Sequence, residues 1–343
     1  MKRSKVFGTL YGAAYGDSLG AISEFCTKQQ IAEAFPDGLL TYQPSISFIT
    51  RGTTPGIVTD DFSSSCYLMR KIIKYEGHFN KDIAIEAILD WAADDFYFGK
   101  FSGANTKEAV LRVKHNEIDQ NPGKQRNFMR QNTNGGAMKV APLGILARND
   151  WDLAIKYTID LCYPTHYNSA AVSGAAAICC AVCEAQNETN IERIIDAGIY
   201  GAVKSRELMD SMGYGTYGPY LDYRIRQAAE LGKQCHTLAD RTALLNDIIG
   251  TGIVTHESIP AVFGLLSSTN DFQQAVLAAV NAGGDTDTIA SMTGAIMGAY
   301  HGAEVIPQAD IRLINEANQS LAIEEVIDAY ANLIETIERG GMK

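Results

Sequence analysis

The sequence predicts an all-α protein, and three observations carry that prediction. Apolar residues recur at helical spacing along most of the chain. Alternating strand patterns are scarce. Glycine and alanine crowd the segments that would have to pack helix against helix. The 343 residues, 46% of them apolar, supply ample material for a core. No composition break marks a linker and no internal repeat is present, so residues 1–343 are read as a single domain.

The N-terminal stretch "MKRSKVFGTLYGAAYGDSLGAI" pairs a basic start with a mildly apolar run, as a signal peptide does. Asp17 interrupts the run, and Gly12, Gly16 and Gly20 recur every four residues, a spacing that permits close helix packing, so the stretch reads as mature protein. "LLTYQPSISFIT" (39–50) is the best strand candidate and a poor one. "FSSSCYLMRKIIKYEG" sets Cys66, Leu68, Met69, Ile72 and Ile73 on one helical face and ends at Gly77. The same periodicity runs through "KDIAIEAILDWAADDF", "SAAVSGAAAICCAVCEAQN", "NIERIIDAGIYGAVKSRELMDSM", "RTALLNDIIGTG" and "DFQQAVLAAVNAGG". The last helix, "SLAIEEVIDAYANLIETIERG", has a solvated acidic face. Loops are expected over 37–58, 99–136 and 211–220, and the middle one is long enough to suggest a functional role.

Charge narrows the function. A net charge of −11 argues against nucleic acid or an anionic membrane as the main partner, because both need a basic face, and it suits a protein that concentrates cations. The longest uncharged segments, 169–183 and 289–303, fall short of the roughly 20 apolar residues of a membrane span. The seven cysteines are an odd number, and Cys179, Cys180 and Cys183 lie in an alanine-rich run with no second Cys/His pair at zinc spacing. They read as buried core thiols in a cytoplasmic protein.

Two acidic clusters precede helices. "PGIVTDDFSSSC" holds Thr59, Asp60 and Asp61, and "NAGGDTDTIA" holds Asp285, Asp287 and Thr288. Capping explains one such residue at a helix start, and acidic groups meet the positive end of the helix dipole. Two neighbouring carboxylates with a hydroxyl, twice over, exceed what capping needs, and their repulsion calls for a cation or a shared proton. Carboxylate and hydroxyl oxygens are the donors that Mg²⁺ and Mn²⁺ take. These six residues could hold two such ions, provided the fold brings 59–61 and 285–288 together. Three further features are weaker alone. Asp17 and Glu24 lie seven apart, on about the same face if the first helix continues, and by themselves read as surface acids. Asn134-Gly135-Gly136 is a glycine-rich turn before a helical run that Pro142 interrupts, and such a turn offers N–H groups to an anion. His166 precedes the alanine-rich helix, where a hydrogen-bonded loop histidine is the ordinary reading.

Taken in order, "GxxxGDSLGxxxE", "TDDxSS", "NGGAMKVAPLG", a "TH" before a small-residue helix and "GGDTDTIASMTGAIMGAYHG" resemble the ADP-ribosylglycohydrolase family over residues 6–302. The resemblance implies an all-α, compact single-domain orthogonal helical bundle with two Mg²⁺ (or Mn²⁺) at the base of a dinuclear metal cleft. It implies Thr59, Asp60 and Asp61 as one ligand set and Asp285, Asp287 and Thr288 as the other. It implies Glu24 as the acid at the scissile bond, Asn134, Gly135 and Gly136 along a diphosphate, and His166 near the ligand. Two positions depart from the pattern. Phe62 replaces a small hydroxyl residue and is expected to shape a wall. Lys139 stands where arginine is common, which keeps charge but not bidentate geometry. The 96–128 segment has no match to any branch of the family and is the expected carrier of leaving-group specificity.

The implied activity is a metal-dependent glycohydrolase, a monomer in the cytoplasm, that removes ADP-ribose from a protein side chain or a small ADP-ribosylated compound. The alternatives are a hydrolase of another N- or O-riboside, and an inactive ADP-ribose-binding or crystallin-like relative.

Overall fold

The computed structural model describes residues 2–115, 117, 131–187 and 189–340, and among them it is all-α, with one isolated β-bridge between Thr133 and Val254. The helices are α1 (Arg3–Gly20), α2 (Lys28–Ala34), α3 (Asp60–Lys74), α4 (Lys81–Trp91), α5 (Tyr97–Phe101), α6 (Ala104–Lys114), α7 (Ala141–Leu146), α8 (Trp151–Cys162) and α9 (Ser169–Ala185). They continue as α10 (Ile191–Ser211), α11 (Leu221–Gly232), α12 (Leu238–Ala243), α13 (Thr255–Ser268), α14 (Phe272–Val280), α15 (Thr286–His301), α16 (Gln308–Ala317) and α17 (Ile323–Gly340). Many starts are written locally. The side chains of Asn80, Asp150, Asn168, Asn190 and Asp271 accept from N–H groups in the first turns of α4, α8, α9, α10 and α14, and Thr27 and Gln30 form a capping box at α2.

The centre of the molecule is a pair of antiparallel helices, α1 and α15, in backbone contact. A Cβ added at Gly8 would lie 2.2 Å from the carbonyl oxygen of Gly298, at Gly12 2.2 Å from that of Gly294, and at Gly16 2.1 Å from that of Ala290. At Gly20 it would lie 2.5 Å from Cα of Asp287. The four-residue glycine spacing of α1 thus matches the small residues of α15 step for step. Helix α9, "SAAVSGAAAICCAVCEA", is buried along its whole length and packs on α8, α10 and α15. The seven cysteines are free and buried.

Three expectations need correction. Residues 39–50 form no strand. Ile46 and Ser47 donate to the Ile22 carbonyl, and Thr50 Oγ1 bonds Ser45 Oγ at 2.7 Å and the Ala21 carbonyl at 2.6 Å. Serine and threonine hydroxyls that close local turns compete with strand pairing, and among the described residues no neighbouring strand is there to win. The expected 99–136 loop contains the end of α5 and all of α6, whose buried face is only Thr106, Ala109 and Val110, too narrow a stripe to stand out by periodicity. Residues 118–130, which include the last eleven of the 96–128 segment assigned to leaving-group specificity, lie outside the described residues. Pro142 is the second residue of α7 and does not interrupt a helix, since the first turn has no internal N–H bond for proline to remove.

Gly16→Ala tests the central contact. Alanine gains about 1 kcal/mol in helix propensity. The new methyl, however, meets main chain that cannot rotate away, and overpacking of this kind costs about 1–3 kcal/mol or more. A net loss of stability in urea unfolding is expected; a gain would mean that the two helices can separate freely.

Candidate active site

Helix α1 ends at Gly20, and the chain turns so that Glu24 lies against the loop before α15. The amide N–H of Phe25 donates to the Gly284 carbonyl at 2.7 Å, and that of Gly284 donates to the Cys26 carbonyl at 2.9 Å. Phe25 has φ 56°, a left-handed conformation that a bulky residue adopts only when its surroundings impose it, and this reciprocal pair is what imposes it. Gly283 and Gly284 also have positive φ, and a Cβ on Gly284 would collide with the Thr251 carbonyl at 2.4 Å. The Asp285 N–H donates to the same carbonyl at 2.7 Å. Two backbone-bonded turns therefore hold Glu24 and Asp285 face to face.

Glu24, Asp285 and Asp287 each offer an oxygen, all within 4.8 Å of one another, a spacing that fits one cation. The start of α3 arrives from the other side. Thr59 Oγ1 lies 3.4 Å from Asp287 Oδ2, and Thr288 Oγ1 donates to Asp61 Oδ1 at 3.3 Å. Residues 59–61 and 285–288 are thus brought together, as the pairing of the two clusters required. Capping accounts for Thr59 in part, because its hydroxyl accepts from the Asp61 N–H. It does not account for Asp285, which makes no side-chain cap bond.

Asn134 Nδ2 donates to Asp285 Oδ2 at 2.5 Å. Its segment is anchored to the chain before α13: Asn134 N–H bonds the Ile253 carbonyl, and Thr255 N–H bonds the Asn132 carbonyl, both at 3.0 Å. His166 is buried behind that segment. Its ring nitrogens bond Thr165 Oγ1 at 2.9 Å and Thr133 Oγ1 at 3.0 Å, and Gly135 is glycine because a Cβ there would lie 2.6 Å from the ring. Gly136 packs in the same way on Cys162 Sγ. Burial pushes the His166 pKa down to about 3, with Lys139 and Arg112 adding repulsion, so the ring is neutral at neutral pH. Phe62 is not a wall of the cleft: it is 1% exposed and belongs to the core.

The carboxylates are strained electrostatically. Burial holds Asp17 and Asp60 up at about 7; at Asp17 it is partly offset by bonds from Thr59 and Phe62, and at Asp60 it is reinforced by the charge of Asp17. Burial also raises Glu24, Asp61 and Asp287 well above the ordinary carboxyl range, with neighbouring acids adding to it. Lys139 is buried and without a hydrogen-bond partner; burial lowers its pKa, while Cys162, Asp60 and Asp61 pull it back up. One lysine cannot balance this many acids. Three buried oxygens, Glu24 Oε2, Asp61 Oδ2 and Asp287 Oδ1, have no hydrogen-bond partner. Unpaired buried carboxylate oxygens brought together from two helix starts and the turn after α1 are suited to a hard divalent cation.

Asp17 and Glu24 correct the surface-acid reading, because they are 0% and 8% exposed. Asp17 is a site residue that sequence reasoning missed. The available signal was the nearly unbroken run of apolar and small residues in α1, a helix buried on almost all sides, Asp17 included. Asn318, which accepts from the Val58 N–H at 3.1 Å and donates to the Gly56 carbonyl at 2.9 Å, secures the approach to Thr59 and left no signal at all.

A helical scaffold presenting facing acidic helix starts defines a candidate cation-binding protein, and comparison with known proteins gives the family. The ADP-ribosylglycohydrolase family profile matches residues 1–340, and the chain belongs to that family, whose members hydrolyse glycosyl bonds. It is 30% identical over 329 residues to the uncharacterized protein YegU of Escherichia coli, covering 93% of this chain and 94% of the relative. It is 27% identical over 332 residues to the ADP-ribosylhydrolase ARH3 of Mus musculus, covering 89% and 86%. A solved structure described as an ADP-ribosylglycohydrolase-related protein complex superposes with a TM-score of 0.66 over 97% of this chain and 98% of the other, at 20% identity, and shares the fold.

The raised pKa values set a pH dependence. Asp17 and Asp60 ionise near 7 in the fold but near about 4 when unfolded. Their contribution to stability is therefore complete below about pH 4 and is lost as pH rises through about 7. In EDTA the thermal midpoint is expected to fall between about pH 5 and pH 8. Saturating Mg²⁺ is expected to reverse the fall, because it binds the ionised folded form. A midpoint in EDTA that climbs over this range would contradict the electrostatic account.

Proposed function

We propose that the protein hydrolyses the bond at the anomeric carbon of an α-linked ADP-ribosyl group, releasing ADP-ribose from a protein side chain or a small compound. The observation that carries this reading is the set of unpartnered oxygens on Glu24, Asp61 and Asp287 where two helix starts meet the turn after α1. Thr59, Asp60 and Asp61 on one side and Asp285, Asp287 and Thr288 on the other would hold two Mg²⁺ or Mn²⁺ ions. Such ions, when bound, orient sugar hydroxyls, stabilise developing charge and lower the pKa of water.

The chain's own residues divide the remaining work. Glu24 keeps a proton to a high pH because it is buried beside Asp285, so it can deliver that proton to the leaving atom or hold the water that attacks. Asn134 is fixed by Asp285 and orients the start of the Asn134–Gly136 segment, which would lie against the diphosphate. His166, neutral and tied to Thr133 and Thr165, supports that segment from behind. An acidic protein can take an anionic diphosphate in this way because bound cations offset its carboxylates. The 27% identity to an ADP-ribosylhydrolase supports the choice of an ADP-ribosyl substrate over another riboside. Six hydroxyl and carboxylate positions plus Glu24 disfavour an inactive binding protein. We also place the protein in the cytoplasm, on the ground that all seven cysteines are free thiols.

Turnover of an ADP-ribosylated peptide should appear with Mg²⁺ and vanish with EDTA. Persistence in EDTA would overturn the metal assignment, and activity only on a simple riboside would favour the other substrate class. Asp287→Ala should abolish turnover while the metal-free fold holds, because the change removes repulsion among buried acids. Near-normal hydrolysis at saturating Mg²⁺ would count against its role.

Glu24→Gln should lower kcat roughly 10²–10⁴-fold, because the amide cannot transfer the proton. Its Kd for ADP-ribose should change far less. Equal loss of rate and binding would reduce Glu24 to a shaper of the pocket.

A further inference from the structure

Asp17 carries no role in the scheme above, yet its carboxylate is completely buried and fully engaged. Oδ1 and Oδ2 both accept from the Thr59 N–H at 3.0 Å, Oδ2 accepts from the Phe62 N–H at 3.0 Å, and Oδ1 accepts from Thr59 Oγ1 at 2.7 Å. The Thr59 hydroxyl has two carboxylates in reach and one hydrogen to give. Asp17 Oδ1 stands at 2.7 Å and Asp287 Oδ2 at 3.4 Å. The shorter contact is that of a hydroxyl bonded to a carboxylate, and the longer one lies beyond that range. The hydrogen therefore goes to Asp17. What Thr59 then turns toward Asp287 is lone-pair density, so two acceptors face each other, and Asp287 Oδ1 beside them has no partner. Two oxygens presenting lone pairs to one space repel unless a cation lies between them.

We propose that Asp17 is the positioning residue for Thr59: by taking the hydroxyl hydrogen it makes the Thr59 oxygen a ligand, directing at the cation the lone pair that the Asp61 N–H leaves free, and not its hydrogen. The proposal rests on the metal-site reading given above. It also explains why a carboxylate is needed on α1 at this height, where an asparagine or serine would serve equally well to cap α3.

Asp17→Asn separates positioning from capping. Its amide oxygen at the Oδ2 place still accepts from the Phe62 and Thr59 N–H groups, whereas the opposite rotamer would aim an NH₂ at the Phe62 N–H. The NH₂ then falls at the Oδ1 place and donates to Thr59 Oγ1, which must swing its hydrogen toward Asp287. Thr59→Val removes the hydroxyl and leaves Asp17 both of its N–H bonds.

The experiment is Mn²⁺ binding by calorimetry to wild type, Asp17→Asn, Thr59→Val and the double variant, with thermal unfolding of each in EDTA. Partners that orient a metal ligand are worth roughly 10–100-fold in affinity, so Asp17→Asn and Thr59→Val should each weaken Mn²⁺ binding by about that factor. The double variant should bind no worse than Thr59→Val alone, because without the hydroxyl Asp17 has nothing to orient. Losses that multiply in the double variant would mean that Asp17 acts through the fold, and wild-type affinity in Asp17→Asn would remove it from the site; either overturns the proposal. Should Asp17→Asn fail to fold, Thr59→Val still decides: Mn²⁺ affinity equal to wild type means there is no hydroxyl ligand to position. A wild-type protein that binds no Mn²⁺ fails the metal-site reading itself, a result distinct from all of these.

Discussion

The site depends on the main-chain contact between α1 and α15. Where glycine faces glycine or alanine, no side chain stands between the helices, and their separation is set by backbone van der Waals radii. That separation is the least adjustable distance a helix pair can have. Its last step falls at Gly20 against Thr286 and Asp287, where the Thr286 hydroxyl also donates to the Gly20 carbonyl at 2.8 Å. The position of Asp287 is thereby referred directly to the end of α1. Asp17, one turn earlier on the same helix, refers the start of α3 to the same frame through Thr59 and Phe62. Two acidic clusters more than 220 residues apart in sequence meet because both are measured from one helix.

Such a frame lets the protein tolerate an arrangement that opposes folding. Several carboxylates are buried within reach of one another, with Lys139 as the nearby buried cation. Placing them at helix starts recovers some of the cost, because the dipole and free N–H groups there favour negative charge. The rest is borne by the packed small-residue core around them. A looser scaffold would relax by moving the acids apart. Here the turns that carry Glu24 and Asp285 are bonded to each other through main chain, and relaxation would break those bonds. Proton uptake or cation binding is the remaining way to relieve the repulsion, and both leave the geometry in place.

Much of this could be read without coordinates. The helical class followed from periodicity, the buried thiols from their alanine-rich surroundings, and the two acidic clusters from an excess over what capping needs. Each is a local signal, because helix propensity, caps and glycine turns act over a few residues. The misreadings share the opposite property. Asp17 and Glu24 looked like surface acids because burial depends on what packs against α1 and the turn after it: the start of α3, 42 residues from Asp17, and, for Glu24, the distant loop before α15. Residues 39–50 looked faintly like a strand because a strand is defined by a partner that the local sequence cannot name.

The chain alone determined which segments are helical, where acidic and hydroxyl groups stand at helix starts, and which family its motifs resemble. Tertiary structure alone decided that the glycine stripe of α1 meets the small residues of α15, that Phe25 is forced into a left-handed turn to present Glu24, and that Asp17 faces Thr59. The physical reason is range. Hydrogen bonds within a turn are specified by neighbours, whereas desolvation, close packing and the direction of a hydroxyl hydrogen are set by groups that only the completed fold brings within about 3 Å.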